Sequence, residues 1–452
     1  MNANRNWRVV VLLTLCFVIY FVISIFISVF DIHWKPLQNV NLISEIINPD
    51  KANNNNQLVQ DSLKNAASLH ASKEMDFELY QNPNLITDFT KGDSITALPH
   101  LAEKLYQLKK TGKGKIRIAY FGDSMIEGDL LTRTLRKLLQ QEFGGYGVGF
   151  LPVQSKVAPV RESAEIKATG WKIVNFMDKS AHNMYISGFS FTGPGSTHFT
   201  DKTLQKGIVT NKYFIFGHAS GGAAIDYNGS SISLNGPDAV NRQLLAKDTL
   251  QSYTLRSSSS QVPYYGVSFE SDNGIIVDNF SFRGITGVEF KKIDEDFLKA
   301  VQEKNHYDLI VMQYGVNLLF RPNDTDYSYY AKIMTPNLVK FKSVFSGSDI
   351  LMVSTADRAF RYNGEYQSAK GIHQLVETQA KMAFDNGLSF FNLFKTMGGD
   401  NSIVQWASAD PPLANKDYVH PNGKGADILA EKLYRAMMKD YHNYTSKKRT
   451  VQ

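Results

Sequence analysis

A chain of 452 residues, 43% hydrophobic and 20% charged, has room for about two to three domains and is too apolar to be disordered. A net charge of +6 without a dense Lys/Arg stripe interleaved with aromatics excludes nucleic acid as an expected partner. The single cysteine, Cys16, rules out an intrachain disulfide, and without HExxH or a Cys/His cluster no metal and no cofactor is expected.

The first element is Val9–Phe30, an uncharged apolar run long enough to cross a bilayer as a helix. A cleaved signal peptide has a shorter apolar core and an A-x-A-like site, and neither is present. Leu15 before Cys16, in the middle of the run, does not suit a lipoprotein signal. Arg5 and Arg8 precede the run, whereas Asp31, His33 and Lys35 follow it. This bias puts the N-terminus in the cytoplasm and the remainder outside, anchored by a single span. The reading is therefore a stub and anchor over 1–35 and, over 36–94, a polar asparagine-rich tether.

Order is expected from 95. Asp93 or Ser94 can cap a helix with Leu101, Leu105 and Leu108 on its apolar face, stopped by Gly112 and Gly114. An apolar strand, "IRIAYF", then runs into Gly122-Asp123-Ser124 and a helix-like stretch over 126–143. The glycines of "GGYGVGF" follow that helix rather than a strand, so they read as a turn and not as a phosphate cradle. Over 156–275 the pattern changes to short aromatic and β-branched strands separated by Gly, Asn and Ser, a β-sandwich pattern. Within it, Asp272-Asn273-Gly274 reads as a hairpin turn. From 276 to 445 strands and helices alternate again, implying a parallel sheet flanked by helices. The expected architecture is thus an α/β unit over 95–155 and 276–445, interrupted by a β-sandwich over 156–275.

Ligands of open parallel sheets sit beyond the carboxyl ends of the strands. Ser124 follows the first strand, "FRGITG" (282–287) another and "QYGVN" (313–317) a third, while Asp417 and His420 stand three apart before the final helix. A serine hydroxyl needs a base to attack a carbonyl. His420 can accept its proton, and Asp417 can hold the other imidazole nitrogen. The candidate oxyanion donors are the backbone N–H groups of Ser124 and Gly287 and the side-chain amide of Asn317. Each motif alone is also an ordinary turn or helix start; the four in this order are much rarer.

The set resembles the SGNH (GDSL-type) hydrolases, which are named for such blocks. "YFGDSMIEGD" looks like the first block, "RGITG" the second, "YGVN" the third and "DYVH" the Asp-x-x-His block. In the second block Gly287 matches the oxyanion position, with Gly284 as the competing choice. Leu318 departs from the family, many members of which carry an acidic residue after the asparagine. The longer run through "GGYGVGF" is similar to bacterial peptidoglycan O-acetylesterases with a carbohydrate-binding-module-like β-sandwich between the first two blocks. The resemblance implies a flavodoxin-like α/β sheet and a metal-free serine esterase acting on acetylated polysaccharide, with peptidoglycan the foremost substrate, in the bacterial periplasm. Two other functions use the same sequence: an O-acetyltransferase, with a sugar hydroxyl replacing water, and an inert wall-binding protein.

Aromatics of the insert, Tyr227 and Tyr264 first among them, are expected to stack on sugar, against the alternative that they fill the sandwich core. Asp357 and Arg358 follow another strand and are candidates for the cleft rim or a structural ion pair. Asp123 is expected to order the turn around Ser124. Glu127 and Asp129 are expected to serve a first helical turn.

Overall fold

A computed structural model describes residues 76–90 and 96–451, together with five isolated positions between 11 and 19. Apart from those five positions, the expected anchor Val9–Phe30 lies outside the described residues, as does the tether up to residue 75. Among the described residues no helix is long and apolar enough to cross a membrane.

The α/β unit consists of β1 (Thr87–Asp88), α1 (Pro99–Thr111), β2 (Lys115–Gly122), α2 (Thr132–Phe143), β3 (Gly274–Ser281), α3 (Glu295–Asn305), β4 (Leu309–Gln313), α4 (Ser328–Val344), β5 (Asp349–Val353), α5 (Ile372–Asn386), β6 (Ser389–Phe391), α6 (Leu393–Met397), α7 (Ser402–Ser408) and α8 (Gly423–Val451). The sheet order is β1-β6-β5-β4-β2-β3. Strands β2 to β6 are parallel, and β1 joins β6 antiparallel. Every residue of β4 and β5 is buried, and every residue of β2 after the first. Strands so mostly apolar and so uninterruptedly buried need cover on both faces. Leu105 of α1, Leu135 of α2 and Leu433 of α8 pack against Ile118, Tyr120 and Val311. Val301 of α3, Leu338 of α4 and Leu375 of α5 pack with the alternate residues Phe121, Ile310 and Met312.

Three sequence expectations change here. The α/β unit begins by residue 76, not 95. Phe77 and Phe89 pack edge-on against Phe384, Tyr80 meets Phe390, and β1 extends the sheet. These aromatics stand singly among polar residues, so local composition hides them. The start of α1 is satisfied from afar: just before it Ala97 and Leu98 N–H donate to Asp440, and within its first turn Leu101 N–H donates to Asp349. Asp93 and Ser94 lie outside the described residues, while Gly112 ends α1 at φ 66°.

The third change concerns the insert, which is two facing sheets. One has the order Ser230–Ser233, Ala224–Tyr227, Ser252–Ser257, Gly195–Asp201, Ala164–Thr169; the other Asn241–Asp248, Thr210–Phe216, Tyr264–Glu270, Phe189–Thr192, Lys172–Asn175. Gly149–Pro152 pairs with Tyr264–Glu270, so the sandwich starts at 149 rather than 156. Asp272-Asn273-Gly274 is not a hairpin turn, because Tyr264–Glu270 stays in the sandwich while Gly274 opens β3 of the other sheet. The chain enters the insert across the segment by which it leaves. A Cβ on Gly145 would lie 2.6 Å from the Ile275 nitrogen, and one on Gly147 would collide with the Phe269 carbonyl.

The two units share a buried ion network. Arg117 of β2 contacts Glu270 at 2.7 Å and Asp278 at 3.1 Å, Lys115 reaches Glu270 at 2.9 Å, and Arg242 of the insert pairs with Glu270 as well. Burial opposes ionisation of Glu270, but Arg117, Arg242 and Lys115 hold its carboxyl well below the usual range. Phe150, Tyr185 and Tyr265 of the insert join Phe280 and Phe290 in one apolar cluster.

Candidate active site

β2 ends in a tight break. A Cβ on Gly122 would lie 2.9 Å from Ile126 Cγ1. The Asp123 carboxylate accepts the Met125 N–H at 2.9 Å, as expected of a turn-ordering residue. Ser124 therefore opens a short turn of 3-10 helix, not a long helix. The helix expected from 126 starts at Thr132 instead. Gly128, Asp129 and Leu131 take positive φ because Asp129 is drawn inward to Arg136, at 2.7 and 2.9 Å, and to Ser163 at 2.5 Å. The role expected of Asp129 in a helical first turn is thus replaced by a buried ion pair. Glu127 likewise turns to Arg283, whose Nε donates to it at 2.8 Å, joining the Ser124 turn to the glycine loop.

Ser124 Oγ lies 2.8 Å from His420 Nε2, and His420 Nδ1 lies 2.8 Å from Asp417 Oδ2. The other oxygen of Asp417 accepts the N–H groups of Val419 at 3.0 Å and His420 at 3.1 Å. Burial raises the Asp417 carboxyl, but its bonds from the His420 ring and from the backbone outweigh that and keep it below the usual carboxylate range. An ionised Asp417 fixes the proton on Nδ1 and leaves the Nε2 lone pair facing Ser124. The loop is closed by the Asn415 N–H bond to the His420 carbonyl at 2.9 Å.

Asn317 stands beyond the end of β4. Its Nδ2 donates to the Ile285 carbonyl at 2.9 Å and to Asp123 Oδ2 at 3.2 Å. It thereby ties the glycine loop to the residue before Ser124. Gly287 turns at φ 90°, and a Cβ there would meet Met334 and Tyr314 at 3.0 Å; Gly284 has φ 82° and open space. Asp123 is 1% exposed, and burial pushes its carboxyl up to about 7 against the Met125 hydrogen bond. Among the described residues no three His, Cys, Asp or Glu side chains converge to hold a metal ion.

Asp357 is buried and accepts Ser368 Oγ at 2.7 Å and the Ile403 N–H at 3.0 Å, a structural post rather than a cleft residue. Arg358 instead donates to the Val316 carbonyl at 2.8 Å, beside Asn317, with its charge towards Asp417. The sugar-stacking expectation for Tyr264 is corrected. The residue has no exposed surface, and its hydroxyl bonds Ser257 at 2.7 Å, so it belongs to the sandwich core. Tyr227 is half-buried against Tyr253, with its hydroxyl 3.3 Å from Asp248.

A hairpin absent from the sequence reading flanks the site: Ala359–Tyr362 pairs with Glu365–Ser368. Its signal was Asn363-Gly364, both at positive φ, between alternating aromatic and polar residues. It carries Tyr366, which stacks on Tyr418 of the Asp417–His420 loop.

No protein-family model and no curated protein matches the sequence. Among solved structures, one described as a peptidoglycan O-acetylesterase in action superposes at a TM-score of 0.66 and 20% identity, over 79% of this chain and 99% of that chain. The chain therefore shares that protein's fold, in agreement with the SGNH-type resemblance of its motifs. An acetyl xylan esterase (TM-score 0.27, 16% identity, 36% of this chain and 81% of that one) is a distant match. So is a family two carbohydrate esterase from Cellvibrio japonicus (TM-score 0.25, 10% identity, 62% and 99%). At those scores neither adds to the argument.

Proposed function

We propose that this protein is a serine esterase that removes O-acetyl groups from an extracytoplasmic glycan, with peptidoglycan the foremost substrate. The observation that carries the reading is the unbroken relay from Ser124 Oγ through His420 to Asp417 at the carboxyl end of the sheet. Ser124 attacks the acetyl carbonyl while His420 Nε2 takes its proton. His420 then protonates the departing sugar oxygen, leaving acetyl-Ser124. Water, deprotonated by His420, attacks this ester; the proton passes from His420 back to Ser124, and acetic acid leaves and ionises to acetate in solution. Asn317 and the glycine loop supply donors to the oxyanion. For Asn317 this requires its amide to exchange the longer bond to Asp123 for the substrate oxygen.

The choice of peptidoglycan is supported by the fold shared with the O-acetylesterase. The anchored, periplasmic placement is supported by the charge-free run Val9–Phe30 behind Arg5 and Arg8. Acetate release from O-acetylated peptidoglycan, acetyl-xylan and a small chromogenic acetate is the deciding measurement. Faster release from peptidoglycan than from xylan, abolished by Ser124→Ala, is the expected result. Acetyl groups passed to an added glycan instead of appearing as acetate would identify a transferase, and no turnover of any ester would end the reading. For the placement, a reporter fused after residue 452 that works only in the cytoplasm would refute it.

A further inference from the structure

The ring stack beside the candidate histidine is built from two unusual features. Tyr418 lies between Asp417 and His420 at φ 56°, a left-handed conformation that a bulky side chain rarely adopts. Such an outlier persists only when its surroundings fix it, and at a site it points to a use. Here the Ala359 N–H donates to the Tyr418 carbonyl at 3.0 Å, and the Tyr366 ring lies 3.9 Å from the Tyr418 ring at 26°. The hairpin that brings Tyr366 is itself held at both ends. Ala369 N–H bonds the Arg358 carbonyl at 2.8 Å, and Ser368 exchanges bonds with Asn401 at 2.7 and 2.9 Å. The Tyr362 hydroxyl bonds the Pro322 carbonyl, in the loop that follows Asn317. Despite this support Tyr366 is 42% exposed, so one face of the ring rests on Tyr418 while the ring remains open to solvent.

We infer that Tyr366, backed by Tyr418, is a stacking platform for a pyranose ring of the glycan adjoining the acetylated sugar. The inference rests on the glycan-esterase reading and gives it a substrate-holding residue. A sugar ring has one flat face of C–H groups that suits an aromatic surface, while its edge hydroxyls stay in water. A lipid chain would need a contiguous apolar patch. Tyr366 is instead flanked by exposed Glu365 and Gln367. The backing ring stiffens the platform, so little side-chain freedom is lost on binding. Placing it on the hairpin that also fixes the Asp417–His420 loop keeps the polymer in register with the reacting serine.

The test compares Tyr366→Ala with the ring-retaining Tyr366→Phe, and reads the ratio of kcat/KM on O-acetylated peptidoglycan to kcat/KM on a small chromogenic acetate. Tyr366→Ala should lower this ratio about tenfold, mainly through KM, and Tyr366→Phe should keep it within about twofold. Equal losses on both esters would mean that the hairpin merely supports the Asp417–His420 loop, and would overturn the proposal, as would an unchanged ratio. A second arm uses de-O-acetylated glycan oligomers and needs no turnover. Their affinity for Ser124→Ala should exceed that for Ser124→Ala/Tyr366→Ala about tenfold. Should the wild type cleave the small ester but no acetylated glycan, the esterase reading fails by itself. The oligomer titration then still decides the platform, with equal affinities refuting it.

Discussion

Asp417 differs from Ser124 and His420 in what its loss removes. In the proposed mechanism Ser124→Ala deletes the atom that would form the acyl bond, and His420→Ala the group that would move the proton. Each should reduce kcat by several orders of magnitude in a chromogenic acetate assay. Asp417→Asn keeps the geometry and removes only the charge that fixes the imidazole, so its loss should be about ten- to a hundredfold smaller. Asn317→Ala should reduce kcat by about 10²–10³ with little change in KM, because a donor to the oxyanion meets full charge only in the transition state. A change confined to KM would make Asn317 a binding residue. Asp123 gives a stability test. With its folded carboxyl near 7 and the unfolded one near 3.8, the native state holds the extra proton between those values. Stability contributed by protonated Asp123 is therefore present at low pH and lost as pH rises from about 4 to about 7. The Tm of the wild type should fall relative to Asp123→Asn across that window, and parallel curves would show that Asp123 does not titrate there. These residues were legible because four strand or helix ends carried the matching types in order. Tyr264 was misread because its strand is buried on both faces, Tyr264 in the sandwich core and Tyr265 in the cluster shared with the α/β unit, which the strand's own sequence does not announce.

At the scale of elements, the strands were the most legible. β2, β4 and β5 are short, mostly apolar runs without polar alternation, and a sheet covered on both faces asks for that. What failed were places where distant partners override local preference. The stretch 126–131 has a helical pattern, yet Arg136, Arg161 and Ser163 pull Asp129 into a buried cluster and break the helix. Asp272-Asn273-Gly274 has hairpin chemistry, yet the strands on either side belong to different sheets. The link from β4 to Asn317 is similarly dictated from outside. Gly315 sits at φ 144°, and a Cβ there would collide with the side chain of Thr355 and lie 2.9 Å from its Cα. Gly315→Ala should cost about 2–4 kcal/mol from crowding and backbone strain together. It should also displace Asn317, so thermal melts and kcat should fall together; a stable variant with normal kcat would show that the strand end can relax.

Across the whole molecule, the insert is fused to the α/β unit by charge as well as by packing. Glu270 leaves the sandwich to meet Arg117 and Lys115 of β2, and it is fully buried. Glu270→Gln leaves Arg117 with Asp278 as its remaining close carboxylate, and should destabilise by about 3–5 kcal/mol. Because the network spans both units, calorimetry should show one cooperative transition for the described region in the wild type. Two separate transitions would mean that the insert folds on its own. The sequence announced the insert through its change of strand rhythm but not this joint, since the charges involved are spread from 115 to 278 and meet only in the fold.

Ser124 and His420 are 296 residues apart, and the insert is made between them. During synthesis Ser124 therefore emerges long before His420. The Asp417–His420 loop leads directly into α8, which packs against α1 and α2 and buries Leu429, Leu433 and Met437 beneath them. Until that helix docks, Ser124 lacks the His420 partner that the proposed chemistry needs and is an ordinary alcohol. Folding order thus acts as a timer: on the proposed reading the hydroxyl becomes reactive only when α8 docks and completes the cover of the sheet.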